Sequence, residues 1–130
     1  MLTQEQVRIV NGVHRRIFGM FTYKTDLEKY KVLEHWADVT DLSLQISSGR
    51  LVGDCDDFAL ACRYLLNEAG VPNRLVFCVV DGEGHCVCEA EGYILDNMQT
   101  SVVRIDQLPE YKFIKMSGYK PGDPWTLIQD

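Results

Sequence analysis

Two helices and an antiparallel run of strands in one chain is the architecture the sequence predicts. Apolar residues recur at helical spacing over positions 3–18 and again over 55–69. Three strand signals then follow between Arg74 and Asn97, joined by short stretches of turn residues. A chain of 130 residues, 46% apolar and 25% charged, has the size and composition of one globular domain spanning residues 1–130.

In the first helix Val7, Val10, Val13, Ile17 and Phe18 form the apolar stripe, with Thr3 as N-cap and Gln6 three residues on completing a partial capping box. A polar stretch from Tyr23 to Tyr30 leads to a short segment at Leu33–Asp38, Asp41 opens a brief helix through Ile46, and Gly49 and Gly53 bracket a loop. The second long helix runs from about Cys55 to Glu68 and is ended by Gly70 and Pro72. Its stripe of Cys55, Phe58, Ala59, Cys62, Leu65, Leu66 and Ala69 puts Cys55 on the buried face of the first turn.

The strands are Arg74–Val80, Gly84–Ala90 and Gly92–Asn97, separated by Asp81-Gly82-Glu83-Gly84 and by Ala90-Glu91. A two-residue turn at Ala90-Glu91 sets 87 opposite 94 and His85 opposite Asp96. Directly opposed side chains start about 4.5–5.5 Å apart, close enough for a hydrogen bond. A further strand is expected at Phe113–Met116, before a tail with Pro121, Pro124 and Trp125.

Composition excludes several classes of function. Net charge is −6, and the 13 Lys and Arg residues form no basic stripe, so nucleic acid is not an expected partner. No run approaches the roughly 18 apolar residues of a membrane span. Residues 1–16 are polar, without an apolar signal core, which reads as cytoplasmic, with a periplasmic or phage-associated setting as the alternatives. Five cysteines, an odd number, suit a reducing compartment better than a disulfide framework. Structural zinc is disfavoured because strand alternation puts His85 on the face opposite Cys86 and Cys88.

Cys55, His85 and Asp96 occur in the order of a nucleophile, a base and an orienting acid. A thiol attacks a carbonyl well only as thiolate, and a helix start together with a neighbouring imidazole favours that form. The backbone N–H of Cys55 is placed by position to stabilise an oxyanion, and Gln45 is a candidate second donor. Each residue also has a plain reading: a buried core thiol, a hydrogen-bonded strand histidine and a turn-opening aspartate. Trp36, Tyr93 and Phe113 read as core residues. Asp54, Asp56 and Asp57 crowd the helix start, where capping and the helix dipole explain acids well. Their like charge opposes thiolate formation, and a hard cation held by oxygen ligands, calcium foremost, is the functional alternative.

Further residues carry a resemblance: Val10-Asn11, Tyr23 with Asp26, His35-Trp36-Ala37, Gly53-Asp54-Cys55-Asp56-Asp57-Phe58-Ala59, Leu66 with Gly70-Val71-Pro72, Gly84-His85, Leu95-Asp96-Asn97, and Pro109-Glu110-Tyr111 with Trp125. Across nearly its whole length the chain resembles the bacterial transglutaminase-like cysteine peptidases, which include periplasmic proteases that clip cell-surface adhesins. The resemblance implies an α+β, papain-like and transglutaminase-like core, with the nucleophile at the N-terminus of a central helix packed on an antiparallel sheet.

It further implies Cys55 as nucleophile, His85 as general base, Asp96 as orienting acid, and a protein or peptide substrate cut through an acyl-enzyme. Adhesin-cutting members are regulated by calcium beside the nucleophile, through acids that match Asp54 and Asp56 here; no cofactor is required for the chemistry itself. Asp56 stands where glutamate is usual, one methylene shorter, and the periplasmic members carry a signal peptide that this sequence does not show. The alternatives are transglutaminase-type acyl transfer, a non-catalytic peptide-binding module on the same fold, and a calcium-dependent interaction protein.

Overall fold

The computed structural model describes residues 2–23, 39–119 and 123–128. The expected segment at Leu33–Asp38, with Trp36, and most of the polar stretch before it lie outside the described residues. In chain order the elements are α1 (Gln4–Met20), β1 (Phe21–Tyr23), α2 (Val39–Ser48), β2 (Leu51–Gly53), α3 (Cys55–Glu68), β3 (Arg74–Val80), β4 (Glu83–Ala90) and β5 (Tyr93–Leu95). They continue with β6 (Val103–Arg104), a 3₁₀ turn (Ile105–Gln107), β7 (Tyr111–Met116) and β8 (Thr126–Leu127).

Both long helices begin where side-chain chemistry starts them. Thr3 accepts from Gln6 N while the Gln6 side chain accepts from Thr3 N, the capping box expected at α1. At α3, Asp54 Oδ1 accepts from the backbone N–H of Asp56 at 3.0 Å and of Asp57 at 3.4 Å, and Asp57 Oδ2 accepts from Asp54 N–H at 3.0 Å. This reciprocal cap makes Cys55 the first residue of the helix. Gly70, at φ +74°, and the bond from Val71 N to Leu66 O end it.

The main sheet has the order β6-β5-β4-β3-β7-β8, and every pairing in it is antiparallel. Strand alternation divides the core in two. On the helix side Cys86, Cys88 and Leu95 pack with Phe58, Ala59, Cys62 and Leu66 of α3 and with Val10, Val13 and Ile17 of α1. On the other side Val76, Cys78, Val80, Val87 and Ile94 pack under Leu108 and Tyr111.

Two local expectations are corrected. Residues 51–53, expected within a loop, form β2, which pairs in parallel with β1 (Phe21 with Leu51, Tyr23 with Gly53) as a two-stranded unit outside the main sheet. Three-residue strands are too short to show a period, and Leu51 is fully buried all the same. The β4–β5 turn falls on Glu91-Gly92, at φ +46° and +95°, because a tight hairpin turn needs positive φ at both central residues and glycine supplies it without strain. Ala90 therefore pairs with Tyr93 and Cys88 with Leu95, two residues out from the expected register. Continued along the strands, that register sets Asp96 opposite Val87 and diagonal to His85. A shift of two keeps both side chains on one face.

Candidate active site

His85, near the start of β4, and Asp96, just beyond β5, meet on the sheet face turned away from the helices. His85 Nε2 donates to Asp96 Oδ1 at 2.6 Å, with the histidine 7% exposed and the aspartate fully buried. Diagonal neighbours in a sheet start about 7–8 Å apart, a gap these two side chains span. With Nε2 engaged by the carboxylate, Nδ1 is the ring nitrogen left to serve a thiol.

The carboxylate of Asp96 is held from several sides. Met98 N–H donates to Oδ1 at 3.0 Å and the Tyr111 hydroxyl donates to Oδ2 at 2.5 Å. His14, buried on α1, bonds through Nε2 to the Asp96 carbonyl at 3.0 Å. Burial pushes the Asp96 pKa up, but hydrogen bonds from His85, Met98 N–H and Tyr111 outweigh it, and the group sits below the usual carboxylate value.

Cys55 reaches the site from the helix side, half-buried at the first turn of α3. It shares with His85 one cavity of about 360 Å³, whose other lining residues include Tyr23, Asp81, Glu83, Asn97 and Met98. The thiol's side-chain hydrogen bond is to Asp56 Oδ1 at 3.8 Å. The structure thus joins His85 to Asp96 directly and sets Cys55 on the same cavity, with no direct bond between thiol and imidazole among the described residues. Burial is the largest influence on the thiol, followed by Asp56; together with Asp54 they raise its pKa to about 12 against the opposing pull of the Cys86 backbone N–H. Such a thiol is protonated at neutral pH.

Asp54, Cys55 and Asp56 bring one ligand atom each within 4.8 Å of one another. Calcium takes about six to eight oxygens. The two carboxylates supply the charge and part of that shell, so the donor set fits a hard cation whose remaining ligands are carbonyls or water. Asp57 is buried and committed to the helix cap. The Gln45 amide oxygen accepts from Val52 N–H at 3.1 Å, tying α2 to β2. Sequence reasoning missed the supporting residues Tyr111, Gln99 and His14, because contacts across 15 and 82 positions leave no local periodic signal.

The fold is that of a transglutaminase-like cysteine peptidase. Residues 1–130 match the family model of the bacterial transglutaminase-like cysteine proteinases (BTLCP), and the chain belongs to that family. No curated protein sequence matches it. Among solved structures it is similar to Legionella pneumophila LapG, with TM-score 0.70 and 22% identity over 94% of this chain and 68% of LapG. The EGTA-treated form gives TM-score 0.71 at 22% identity over 95% and 68% of the two chains. The calcium-bound form gives 0.70 at 23% over 95% and 70%. At such identities the likeness establishes the fold.

Proposed function

We propose that this cysteine peptidase hydrolyses an amide bond of a protein or peptide substrate through an acyl-enzyme on Cys55, with His85 as general base and Asp96 as the orienting acid. The observation that carries the reading is the buried 2.6 Å bond from His85 Nε2 to Asp96 Oδ1, opening on the cavity that also holds Cys55. Asp96 fixes the imidazole as the Nε2–H tautomer, which leaves Nδ1 to take the thiol proton. Sγ then attacks the carbonyl carbon while the Cys55 backbone N–H, at the positive end of α3, stabilises the oxyanion. His85 returns the proton to the leaving amine, and water attacks the acyl-enzyme with His85 again accepting a proton.

The raised thiol pKa bears on regulation. Of its causes, the Asp56 and Asp54 charges are the two that a bound cation can offset. A calcium-bound form of LapG is among the similar structures, and Asp54 and Asp56 are the residues that would hold calcium in this chain. Bound there, the ion supplies positive charge beside the thiol.

The test is site-resolved alkylation with iodoacetamide across pH 5 to 9, read by mass spectrometry on the wild type and on His85→Ala. With calcium present to offset the Asp54 and Asp56 charges, the reading expects Cys55 to react at neutral pH and to slow at least tenfold without His85. Equal Cys55 rates in the two proteins would overturn it.

A further inference from the structure

We propose that Tyr111 is a positioning residue for the Asp96–His85 pair and that Gln99 sets the direction of its hydroxyl proton; this rests on the triad reading above. Tyr111 opens β7, is 6% exposed, and stands edge-on to His85, with ring centroids 6.0 Å apart at 81°. Its oxygen lies between two partners, Asp96 Oδ2 at 2.5 Å and Gln99 Nε2 at 3.2 Å. A phenol has one proton to give. The Gln99 amide is a donor to that oxygen, so the proton is directed to Asp96.

The consequence follows from how Asp96 is enclosed. Its side chain is fully buried, and two donors, His85 Nε2 and Met98 N–H, converge on Oδ1. Among the described residues, Tyr111 is the donor on Oδ2. Without the hydroxyl, a buried carboxylate oxygen loses its partner, an expensive state that the group relieves by rotating to share the donors on Oδ1 or by drawing a proton from the imidazole. Either response loosens the ring whose Nδ1 must meet the thiol. Tyr111 thus acts through Asp96 and touches neither thiol nor substrate. The packing role of the ring against Phe113 is separate, and phenylalanine retains it.

A double-mutant cycle on the full chain separates the two roles, with the rate of Cys55 alkylation by iodoacetamide at pH 7 in calcium-containing buffer as the readout. Tyr111→Phe should slow Cys55 about tenfold in the wild-type background, the scale of one lost hydrogen bond to a charged group. In an Asp96→Ala background it should change the rate less than twofold, because the group it acts through is gone. An unchanged rate in the wild-type background, or an equal slowing in both, overturns the proposal.

His85→Ala distinguishes this failure from that of the triad. If His85→Ala slows Cys55 and Tyr111→Phe does not, only the role of Tyr111 falls; if His85→Ala has no effect, both readings fall. Should Tyr111→Phe lose its cooperative melting transition, Gln99→Ala in the same cycle decides. The expected result is a severalfold slowing that disappears in the Asp96→Ala background, and its absence counts against the proposal.

Discussion

Gly53 and Asp57 stand so close that a β-carbon built on Gly53 would overlap the carboxylate oxygen Oδ2 of Asp57. The same oxygen accepts the Asp54 N–H and so closes the cap that makes Cys55 the first residue of α3. Gly53→Ala should displace this carboxylate and lower stability by about 1–3 kcal/mol, the range for forced overpacking. Gly12, inside α1, has nothing within 4 Å of a built β-carbon. Gly12→Ala should therefore raise stability by about 0.5–1 kcal/mol through helix propensity alone. Thermal melts of the two variants should move in opposite directions.

Asp56 holds the Cys55 thiol up through its charge, second only to burial. Asp56→Asn removes that charge while nearly conserving shape. In calcium-free buffer the thiol pKa should fall and Cys55 alkylation at pH 8 should accelerate severalfold. Calorimetric titration with calcium should show the reverse penalty, an affinity about tenfold or more weaker after loss of a charged ligand. A Cys55 rate unaffected by Asp56→Asn would contradict the electrostatic account of this thiol.

The buried thiols other than Cys55 predict a loss of stability in alkali. Burial raises Cys78 and Cys88 from 9.0 to about 12, and Cys62 and Cys86 well above 9.0. Unfolded thiols ionise first, so above pH 9 the unfolded state binds fewer protons and stability falls as pH rises, until the folded values are reached. Each thiol contributes about 1.4 kcal/mol per pH unit in that window. Asp96 works in the opposite sense: its folded pKa lies below 3.8, so its contribution is present above that value and is lost as pH falls through the folded pKa. Urea melts at pH 8 and pH 10 should show a drop of several kcal/mol.

Arg63 is 6% exposed and gives its guanidinium to neutral oxygens: Asn73 O at 2.9 Å, Asn73 Oδ1 at 3.2 Å, and the Gly118 and Tyr119 carbonyls at 3.3 Å. The interaction fastens the segment after β7 to α3. Arg63→Met preserves much of the bulk but strips these acceptors of a donor, and a loss of about 2–4 kcal/mol is expected in a denaturant melt. Limited proteolysis should then cut near Tyr119 before any other described segment.

What could be read in the sequence was local and periodic. Asp54 as N-cap, Cys55 as the opening residue of α3, the bounds of β3, and the facing of His85 against Cys86 and Cys88 all follow from spacing that short windows contain. The pairing of His85 with Asp96 was also legible, though by a different route, since the expected direct opposition is a diagonal. The turn that sets it depends on Glu91 accepting positive φ, which residue preference alone does not foretell. β1 and β2 gave no sign because three residues make no pattern, and their parallel pairing spans 30 positions. Tyr111 and His14 were invisible as supports of Asp96 for the same reason: their contacts are tertiary.

The two-residue displacement of the β4–β5 hairpin carries a consequence for how this chain tolerates change in length. Adding or removing a pair of residues at Glu91-Gly92 slides Asp96 along its strand but returns it to the face where His85 and Tyr111 stand. An insertion of one residue, unless a bulge absorbs it, turns the carboxylate toward the helices and separates it from His85 and Tyr111. Length variation in this hairpin should thus come in even steps, while the β3–β4 turn at Asp81-Gly82, which precedes His85 on the same ladder, obeys the same parity from the other side.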